Sequence, residues 1–243
     1  MSSPNDHVWS ARELVAMEPA ERDDEPTVVG RLQRLCRAAT RDLPASGVGV
    51  SVVSETGDLL TAAASSRASV VLEELQFSLG EGPCLAAIES RSPVLVPDLT
   101  GNGGSSWPGY ASAARQLGVR AVFAFPLRVG VARLGVMDVY RARSGKLSGW
   151  ATSRAIGYAD VALETMLDGQ RTGQLVPGLA DAAETRFEVY QAQGMVMVQL
   201  EVTADEALSR IRGHAFAQDR RLVDVAEDII ARRLSLEPDE RGA

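Results

Sequence analysis

One stretch near the C-terminus decides the architecture of the end of this chain: ETRFEVYQAQGMVMVQLEVTADEALSRIRGHAFAQDRRLVDVAEDIIARRL, residues 184–234. It contains no proline and no alternating run typical of a strand. Apolar residues instead recur three and four positions apart in three successive segments, which is the spacing of an amphipathic helix. We therefore predict a small three-helix bundle over residues 184–236.

Capping residues mark where the second and third helices begin. Thr203, followed three positions later by Glu206, predicts a capping box, in which each side chain bonds to the backbone amide of the other. Asp219 is the expected N-cap of the third helix. The apolar stripes behind these caps are Ala207, Leu208, Ile211 and Ala215, then Leu222, Val225, Ala226, Ile229, Ile230 and Leu234. About fifty residues bury little apolar surface, so we expect the bundle to lean on a neighbour or a second copy.

Three short motifs within the bundle carry a family resemblance. They are Gln-Ala-Gln-Gly-Met-Val-Met (191–197), Glu-Ala-Leu-x-x-Ile-Arg-x-x-Ala (206–215) and Arg-Leu-Val-Asp-Val-Ala (221–226). In order and spacing they resemble the ANTAR domain, the RNA-binding output module of bacterial transcription antitermination regulators. Gln193 stands where that family often has lysine.

The resemblance implies a homodimer that presents two bundles to RNA. Each bundle grips the loop of one of two tandem stem-loops in a nascent transcript, which prevents a competing terminator hairpin from forming. Proteins read such loop bases because the major groove of A-form RNA is too narrow for side chains. The residues that we expect to contact RNA are Gln191, Gln193, Gly194, Arg212, Arg220 and Arg221.

Charge gives the RNA hypothesis little support of its own. The chain has a formal net charge of −7, and acids outnumber arginines within residues 184–234. A nucleic-acid-binding domain typically shows a basic footprint. What remains is a local cluster around the turn between the second and third helices, made by Arg210, Arg212, Arg220 and Arg221. The alternatives are solvated helix ends or a bundle that pairs with a protein partner.

Residues 27–168 alternate strand and helix patterns. Two pairs of strands read as hairpins: residues 47–54 with 58–64, and residues 119–129 with 132–141. Because hairpins dominate, we predict an α+β fold whose mixed or antiparallel sheet of about five or six strands is flanked by helices.

Domain boundaries follow from composition. Residues 1–26 are polar and acidic, and we expect them to form a flexible N-terminal tail. Residues 169–183 form a linker, in which Pro177 should interrupt any continuous helix. Residues 237–243 are a short C-terminal tail.

Two segments of the first domain carry a second resemblance. Gly-Glu-Gly-Pro-Cys (80–84) opens a helix, and Leu-Gly-Val-Met-Asp-Val-Tyr (134–140) reads as a half-buried strand. Together they resemble the GAF domain, a widespread small-molecule sensor fold, over residues 27–168. The ligands of that fold vary, so the ligand or cofactor stays unknown. The candidate ligand-binding residues are Cys84, Trp107, Tyr110 and Phe123, with plain core packing as the alternative.

Several chemistries are excluded. The only histidines, His7 and His214, lie outside the sensor domain, which rules out histidine-rich zinc catalysis and makes a Ser-His-Asp triad improbable. Neither a P-loop nor a dinucleotide-binding glycine pattern is present. Cys84, at the start of a helix, is the one candidate thiolate nucleophile or redox group of the sensor domain, so a small enzyme is the remaining catalytic alternative.

No signal peptide and no membrane-spanning apolar run is visible, so we expect a cytoplasmic protein. The resulting hypothesis is a signal-responsive, RNA-binding antitermination regulator without enzymatic activity. The rival hypothesis is a protein–protein signalling module that has a small-molecule-sensing domain and does not bind RNA. Only phosphate contacts would make binding to RNA fall steeply with salt.

Overall fold

The computed structural model describes residues 9–21, 27–54, 59–172 and 179–237, and the chain divides into two compact units. The helices described in the first unit are α1 (Ala11–Met17), α2 (Val28–Asp42), α3 (Arg67–Leu79), α4 (Pro83–Ser90), α5 (Pro108–Gln116) and α6 (Gly149–Arg171). Its strands are β1 (Gly47–Val53), β2 (Leu59–Ala64), β3 (Val94–Val96), β4 (Ala121–Val129) and β5 (Ala132–Arg141). A short 3₁₀ helix covers Gly101–Gly104. The second unit contains α7 (Leu179–Leu200), α8 (Ala204–Ala217) and α9 (Leu222–Ile230).

The five strands form one antiparallel sheet in the order β2-β1-β5-β4-β3. The structure therefore confirms the predicted α+β class, and both predicted hairpins are present. The register sets Gly49 and Ala124 on either side of Asp138, so these three residues share one face of the sheet. Phe123 pairs with Val139 and lies on the opposite face, because successive side chains alternate.

The face that carries Asp138 is covered by α3 and α4. Cys84 and Ala87 of α4 pack in one apolar cluster with Ala124 and Val136 of the sheet. Pro83 occupies the first turn of α4, where its missing amide hydrogen costs nothing. On the sheet, Asp138 therefore has small or apolar residues as its neighbours on this face.

The N-terminal segment differs from the expected flexible tail. Within residues 9–21 the chain forms α1, whose start is fixed by a capping box between Ser10 and Glu13. Behind the helix, Glu18 is buried, and its carboxylate lies 3.0 Å from the guanidinium of Arg41 on α2. Composition alone suggested disorder, but this cap and this ion pair dock the segment. Residues 1–8 and 22–26 lie outside the described residues.

The second unit confirms the predicted helical stripes. Its buried residues fall at helical spacing on all three helices: Val189, Ala192 and Val196, then Ala207, Ile211 and Ala215, then Leu222, Val225, Ala226 and Ile229. Phe187 and Val198 of α7 are apolar but exposed, so they lie outside this buried stripe.

The predicted caps of the bundle are only partly correct. The Thr203 hydroxyl accepts from the Glu206 amide at 3.3 Å, but the Glu206 carboxylate bonds to Arg210 rather than back to the cap. The N-cap of α9 is Arg221 and not the predicted Asp219. Asp219 has φ +51°, and the amide of Arg220 donates to the Ala215 carbonyl at 2.9 Å, so Asp219 belongs to the C-terminal cap of α8.

The predicted linker is shorter in the structure than in the sequence interpretation. Helix α6 continues to Arg171 and α7 begins at Leu179, five residues before the predicted start of the bundle. The predicted break at Pro177 lies outside the described residues, as do residues 238–243 of the expected tail. No described helix is both long and apolar enough to cross a membrane.

Candidate functional site

A buried group of polar side chains lies between α3 and the sheet of the first unit. Glu73 and Gln76, one turn apart on α3, are both buried, and so are Asp138 on β5 and Ser51 on β1. Glycine makes room for this group: a Cβ atom at Gly49 would lie 2.0 Å from the Glu73 Oε1 atom. The sequence therefore places a carboxylate directly over the backbone of a central strand.

Hydrogen bonds join these side chains into a network. The Ser51 hydroxyl donates to one Glu73 oxygen at 2.7 Å, and the Tyr140 hydroxyl donates to the other at 2.7 Å. The same Tyr140 hydroxyl lies 3.4 Å from the Asp138 Oδ2 atom. The Gln76 amide donates to Asp138 Oδ2 at 2.9 Å. The Tyr140 hydroxyl thus donates to Glu73 and lies near the Asp138 carboxyl group as well.

Gln76 also ties the network to α4. Its side-chain oxygen accepts the backbone N–H of Cys84 at 2.8 Å, where the helix begins. A Cβ atom at Gly82 would lie 2.4 Å from that oxygen, so the glycine-rich loop admits the glutamine side chain. Gly82 also has φ +147°, which disfavours any other residue.

Two buried polar atoms of this region have no hydrogen-bond partner within the described part of the chain. One is the Oδ1 atom of Asp138, and the other is the hydroxyl of Tyr110 on α5. Both residues are fully buried. A buried donor or acceptor without a partner costs free energy, so such atoms mark a place where the fold is not optimised for stability alone.

Burial shifts the protonation equilibria of this group. Loss of hydration raises the pKa of Glu73 to about 7, against the opposing effect of the hydrogen bonds from Ser51 and Tyr140. Burial, and then the negative charge of Glu73, raise the pKa of Asp138 well above its usual value. Burial, followed by Asp138, Cys84 and Glu73, raises the pKa of Tyr110. We name Ser51, Glu73, Gln76, Tyr110, Asp138 and Tyr140 the polar cluster.

Two of the four predicted ligand residues belong with the polar cluster. Cys84 is buried beside Gln76, and Tyr110 contributes its hydroxyl. Trp107 is half-buried at the N-cap of α5, one turn before Tyr110. Phe123 is buried on the other face of the sheet, so the structure does not bring it together with the other three. Core packing accounts for it.

The acidic half of the polar cluster was not predicted, although the sequence carries a signal for it. Asp138 interrupts an otherwise apolar strand, and Glu73 and Gln76 share one face of α3 by their spacing. Only the sheet register brings these two segments together. Across the described ranges, no group of three or more His, Cys, Asp or Glu residues is arranged to hold a metal ion.

The second unit carries the arginines predicted to contact RNA. Arg220 lies directly after Asp219, between α8 and α9. Its side chain extends along α9, where its guanidinium donates to the Asp228 Oδ2 atom at 2.6 Å. Arg233, beyond the end of α9, donates to the other oxygen of Asp228 at 2.7 Å. One carboxylate thus holds two guanidinium groups side by side, and they lower its pKa, Arg220 first.

Two further arginines have acidic partners on their own helix. Arg221 forms a two-pronged ion pair with Asp224, with a 2.9 Å bond from its Nε atom. Arg210 donates to Glu206 at 2.8 Å, one turn earlier on α8. These ion pairs explain how several arginines can lie close together in a segment whose acidic residues outnumber its arginines. We name Arg220, Arg221 and Arg233 with Asp224 and Asp228 the arginine face.

The remaining predicted RNA contacts lie on α7 and α8. Gln191 and Gly194 are exposed on α7, and a Cβ atom at Gly194 would meet nothing within 4 Å. The side chain of Gln193 donates to the backbone oxygen of Ala204 at 2.7 Å and so joins α7 to the start of α8. Arg212 is half-buried on α8.

Comparisons with known proteins agree with this division. The GAF domain model matches residues 27–151, which is just over half of the chain, and the ANTAR domain model matches residues 178–230. The sequence interpretation of both halves is thereby confirmed. No curated protein sequence matches the chain.

Similar solved structures include two GAF domains. The GAF domain of the Acinetobacter phosphoenolpyruvate-protein phosphotransferase is 14% identical, with a TM-score of 0.50 over 68% of this chain and 95% of that chain. The GAF domain of the Coxiella burnetii phosphoenolpyruvate-protein phosphotransferase is also 14% identical, with a TM-score of 0.50 over 68% of this chain and 98% of that chain. At such identities the likeness establishes the fold alone.

Proposed function

Because the chain belongs to the GAF domain family and also carries a match to the ANTAR domain, we propose that it is a ligand-responsive, RNA-binding regulator of transcription antitermination. The observation that carries this proposal is the ANTAR match over residues 178–230, the range that also holds most of the arginine face. The role is regulatory rather than catalytic. A cytoplasmic location, where nascent transcripts are made, goes with it.

The proposed partner is a pair of tandem RNA stem-loops, bound by a homodimer with one bundle on each loop. Two linked weak sites gain affinity because the second binding event occurs at a high effective concentration. The contacts that we propose on each bundle are Gln191, Gln193, Gly194, Arg212, Arg220 and Arg221. Holding both loops keeps the competing terminator hairpin from forming.

RNA phosphates compete with the carboxylates of the arginine face. Exposed ion pairs such as Arg221–Asp224 are weak, because water and salt screen them. A phosphate can therefore take over the guanidinium at small cost, and Arg presents a planar fork suited to it. Since Asp224 and Asp228 remain nearby, they limit nonspecific attraction to nucleic acid and leave loop recognition to decide binding.

The binding experiment compares a tandem stem-loop RNA with six-base loops against the same RNA with scrambled loops, at two salt concentrations. We expect tighter binding to the intact loops and a marked weakening at the higher salt. Arg220→Ala should weaken loop-dependent binding about tenfold. Arg232→Ala is the matched control, because Arg232 is exposed in the same unit but lies outside the proposed contact set. Equal, salt-insensitive binding to both RNAs would refute the RNA-binding role.

A protein–protein signalling module is the second candidate, and two observations favour it. Phe187 and Phe216 are large apolar side chains that are more than half exposed on the bundle. The arginine face is moreover largely neutralised by its own carboxylates. This candidate predicts no loop-dependent RNA binding, and the same experiment therefore separates the two.

For the first unit we propose ligand sensing at the side of the sheet where Cys84, Trp107 and Tyr110 lie. Phe123 is left out of this site, because it faces the other side of the sheet. The polar cluster replaces it as the part of the domain whose chemistry is not that of an ordinary core.

A further inference from the structure

We propose that the polar cluster is the ligand site of the sensor domain and that its ligand presents a small cationic head group with N–H donors, such as a primary ammonium. The inference rests on the sensory role proposed above and names the chemical class that the site selects. It is carried by Asp138, Glu73 and Tyr110, which belong to three different elements.

The first argument is charge. Glu73 and Asp138 are two carboxyl groups in the core, and the Tyr140 hydroxyl lies 2.7 Å from the first and 3.4 Å from the second. Like charges at such separation repel strongly when water is excluded, so the pair favours either a proton or a bound cation. A neutral or anionic head group would offer the pair no compensation.

The second argument is hydrogen bonding. The oxygens of Glu73 are already occupied by Ser51 and Tyr140, whereas Asp138 Oδ1 and the Tyr110 hydroxyl have no partner among the described residues. Both of these oxygens can accept a hydrogen bond, and an ammonium group has only donors to give. A head group between β5 and α5 would therefore satisfy both atoms at once.

The third argument is size. Glu73, Tyr110 and Asp138 are each less than 5% exposed, so the site encloses what it binds. Ligand sites commonly bury most of the ligand surface. We therefore assign the site to a compact head group, and a primary ammonium is the smallest organic cation of that kind.

The fourth argument is linkage to protons. The pKa values of Glu73 and Asp138 are both raised, so at neutral pH the pair retains protons that a cation would displace. The titratable groups that surround the pair are Tyr140 on β5, Tyr110 on α5, Cys84 on α4 and Cys36 on α2. The pKa values of Tyr140, Tyr110 and Cys36 are raised, so these groups stay neutral there. Cation affinity should thus increase with pH between about 6 and 8, with release of protons to the solvent.

Ethylammonium chloride is the probe, because it carries the head group on the smallest useful tail. Ethanol, with the same number of heavy atoms, is the neutral control, and sodium acetate and sodium chloride control for anion and ionic strength. Binding to the full chain is followed by chemical-shift changes of backbone amides. A three-heavy-atom ligand cannot bind tightly, so we expect a Kd of about 1–10 mM. The shifts should centre on Gln76, Cys84, Tyr110 and Asp138.

Two substitutions test the site without removing its packing. Asp138→Asn keeps the side-chain shape and should weaken ethylammonium binding about tenfold. Tyr110→Phe removes only the unpartnered hydroxyl and should weaken it about fivefold. Tyr158→Phe is the matched control, because it removes another tyrosine hydroxyl, which bonds to Asp42 on α2 instead. It should bind the probe like the wild type.

Each outcome supports or overturns the proposal. Ethylammonium binding that rises with pH and is about tenfold weaker in Asp138→Asn supports it. Equal chemical-shift changes with ethanol, or unchanged ethylammonium binding in both Asp138→Asn and Tyr110→Phe, would overturn the cationic class of the ligand. Absence of ethylammonium binding up to 50 mM (about five times the weakest expected Kd) would overturn the site itself. Because binding is read directly at the site, these results are independent of RNA affinity. A failure of loop-dependent RNA binding would therefore count against the proposed function and not against this inference.

Discussion

The two units handle charge in opposite ways. In the first unit, two carboxyl groups are buried against the sheet, and burial raises their pKa values. In the second unit, Asp224 and Asp228 lie at the surface among arginines, which lower their pKa values. Carboxyl side chains thus tend to hold a proton in the first unit and to pair with a guanidinium group in the second. Under the two proposals above, each unit exchanges a different partner: the buried carboxyl groups of the first unit give up protons for a cation, and the arginines of the second unit give up carboxylates for phosphates.

The largest effect should come from filling the space that the buried carboxylate occupies. Gly49→Ala forces the Glu73 side chain off the strand, and we expect it to lower the free energy of unfolding of the first unit by about 3 kcal/mol. Tryptophan fluorescence reports this unit specifically, since Trp9, Trp107 and Trp150 all belong to it. Gly149→Ala is the control, because a Cβ atom there, at the start of α6 in the same unit, meets nothing within 4 Å and the variant should be neutral or slightly stabilising. Equal stability of wild type and Gly49→Ala would contradict the described packing.

The next effect is a pH dependence of opposite sign in the two units. Glu73 has a folded pKa raised from 4.5 to about 7, so its contribution is fully favourable below pH 4.5 and is lost as the pH rises through 7. We expect the first unit to lose up to about 3 kcal/mol of stability between pH 5 and 8. Glu73→Gln should flatten this dependence. Denaturant titrations followed by tryptophan fluorescence at several pH values measure it.

The second unit should respond in a different pH window. Asp224 and Asp228 have lowered pKa values, so their contribution is present above their ordinary pKa of 3.8 and is lost as the pH falls through their lowered values. Amide hydrogen exchange on the full chain can be read separately for residues 179–243. We therefore expect the amides of these residues to lose protection from exchange only at acidic pH. Loss of protection between pH 5 and 8 would break the contrast between the two units.

A smaller effect concerns the carboxylate that holds two arginines. Asp228→Asn frees Arg220 and Arg233, and we expect loop-dependent RNA affinity to rise about threefold, with a steeper dependence on salt. Stability should change little, because the pairs are at the surface. Glu227→Gln is the control, since it removes a charge of the same sign one residue away. An equal rise in both variants would assign the effect to net charge rather than to the pairing.

The last and small effect concerns the stability of the turn that positions Arg220. Asp219 has φ +51°, a left-handed conformation in which glycine is not strained. We expect Asp219→Gly to stabilise the second unit by about 0.5–1 kcal/mol while RNA affinity stays the same. Thermal unfolding followed by far-UV circular dichroism measures the stability, and a destabilised variant would contradict the assigned capping geometry.

Sequence periodicity was sufficient for the elements and insufficient for the polar cluster. The stripes that contain Ile211 and Val225 were predictable, because helix burial follows local spacing. The hairpins were predictable from their turns. Asp219 was misassigned, because an acid between two helices can cap either one and only the backbone conformation decides.

The polar cluster depends on contacts between residues far apart in the sequence. Glu73 reaches Tyr140 across 67 positions, and Gln76 reaches Asp138 across 62. No local pattern states that α3 lies over Gly49. The face on which Phe123 lies follows from strand register, which alternation alone does not fix relative to the helices. Ion pairs such as Arg220–Asp228 likewise depend on how the chain leaves α8.

We propose that the arginine face exchanges its carboxylates for RNA phosphates, and the salt dependence of RNA affinity reports that exchange. Binding of the wild type and of the double variant Arg220→Ala, Arg221→Ala to the tandem stem-loop RNA would be measured over a series of salt concentrations. We expect the slope of log K against log salt to become shallower by about 0.7 for each lost phosphate contact, hence by about 1.4 in the double variant. Identical slopes for the two proteins would contradict the account.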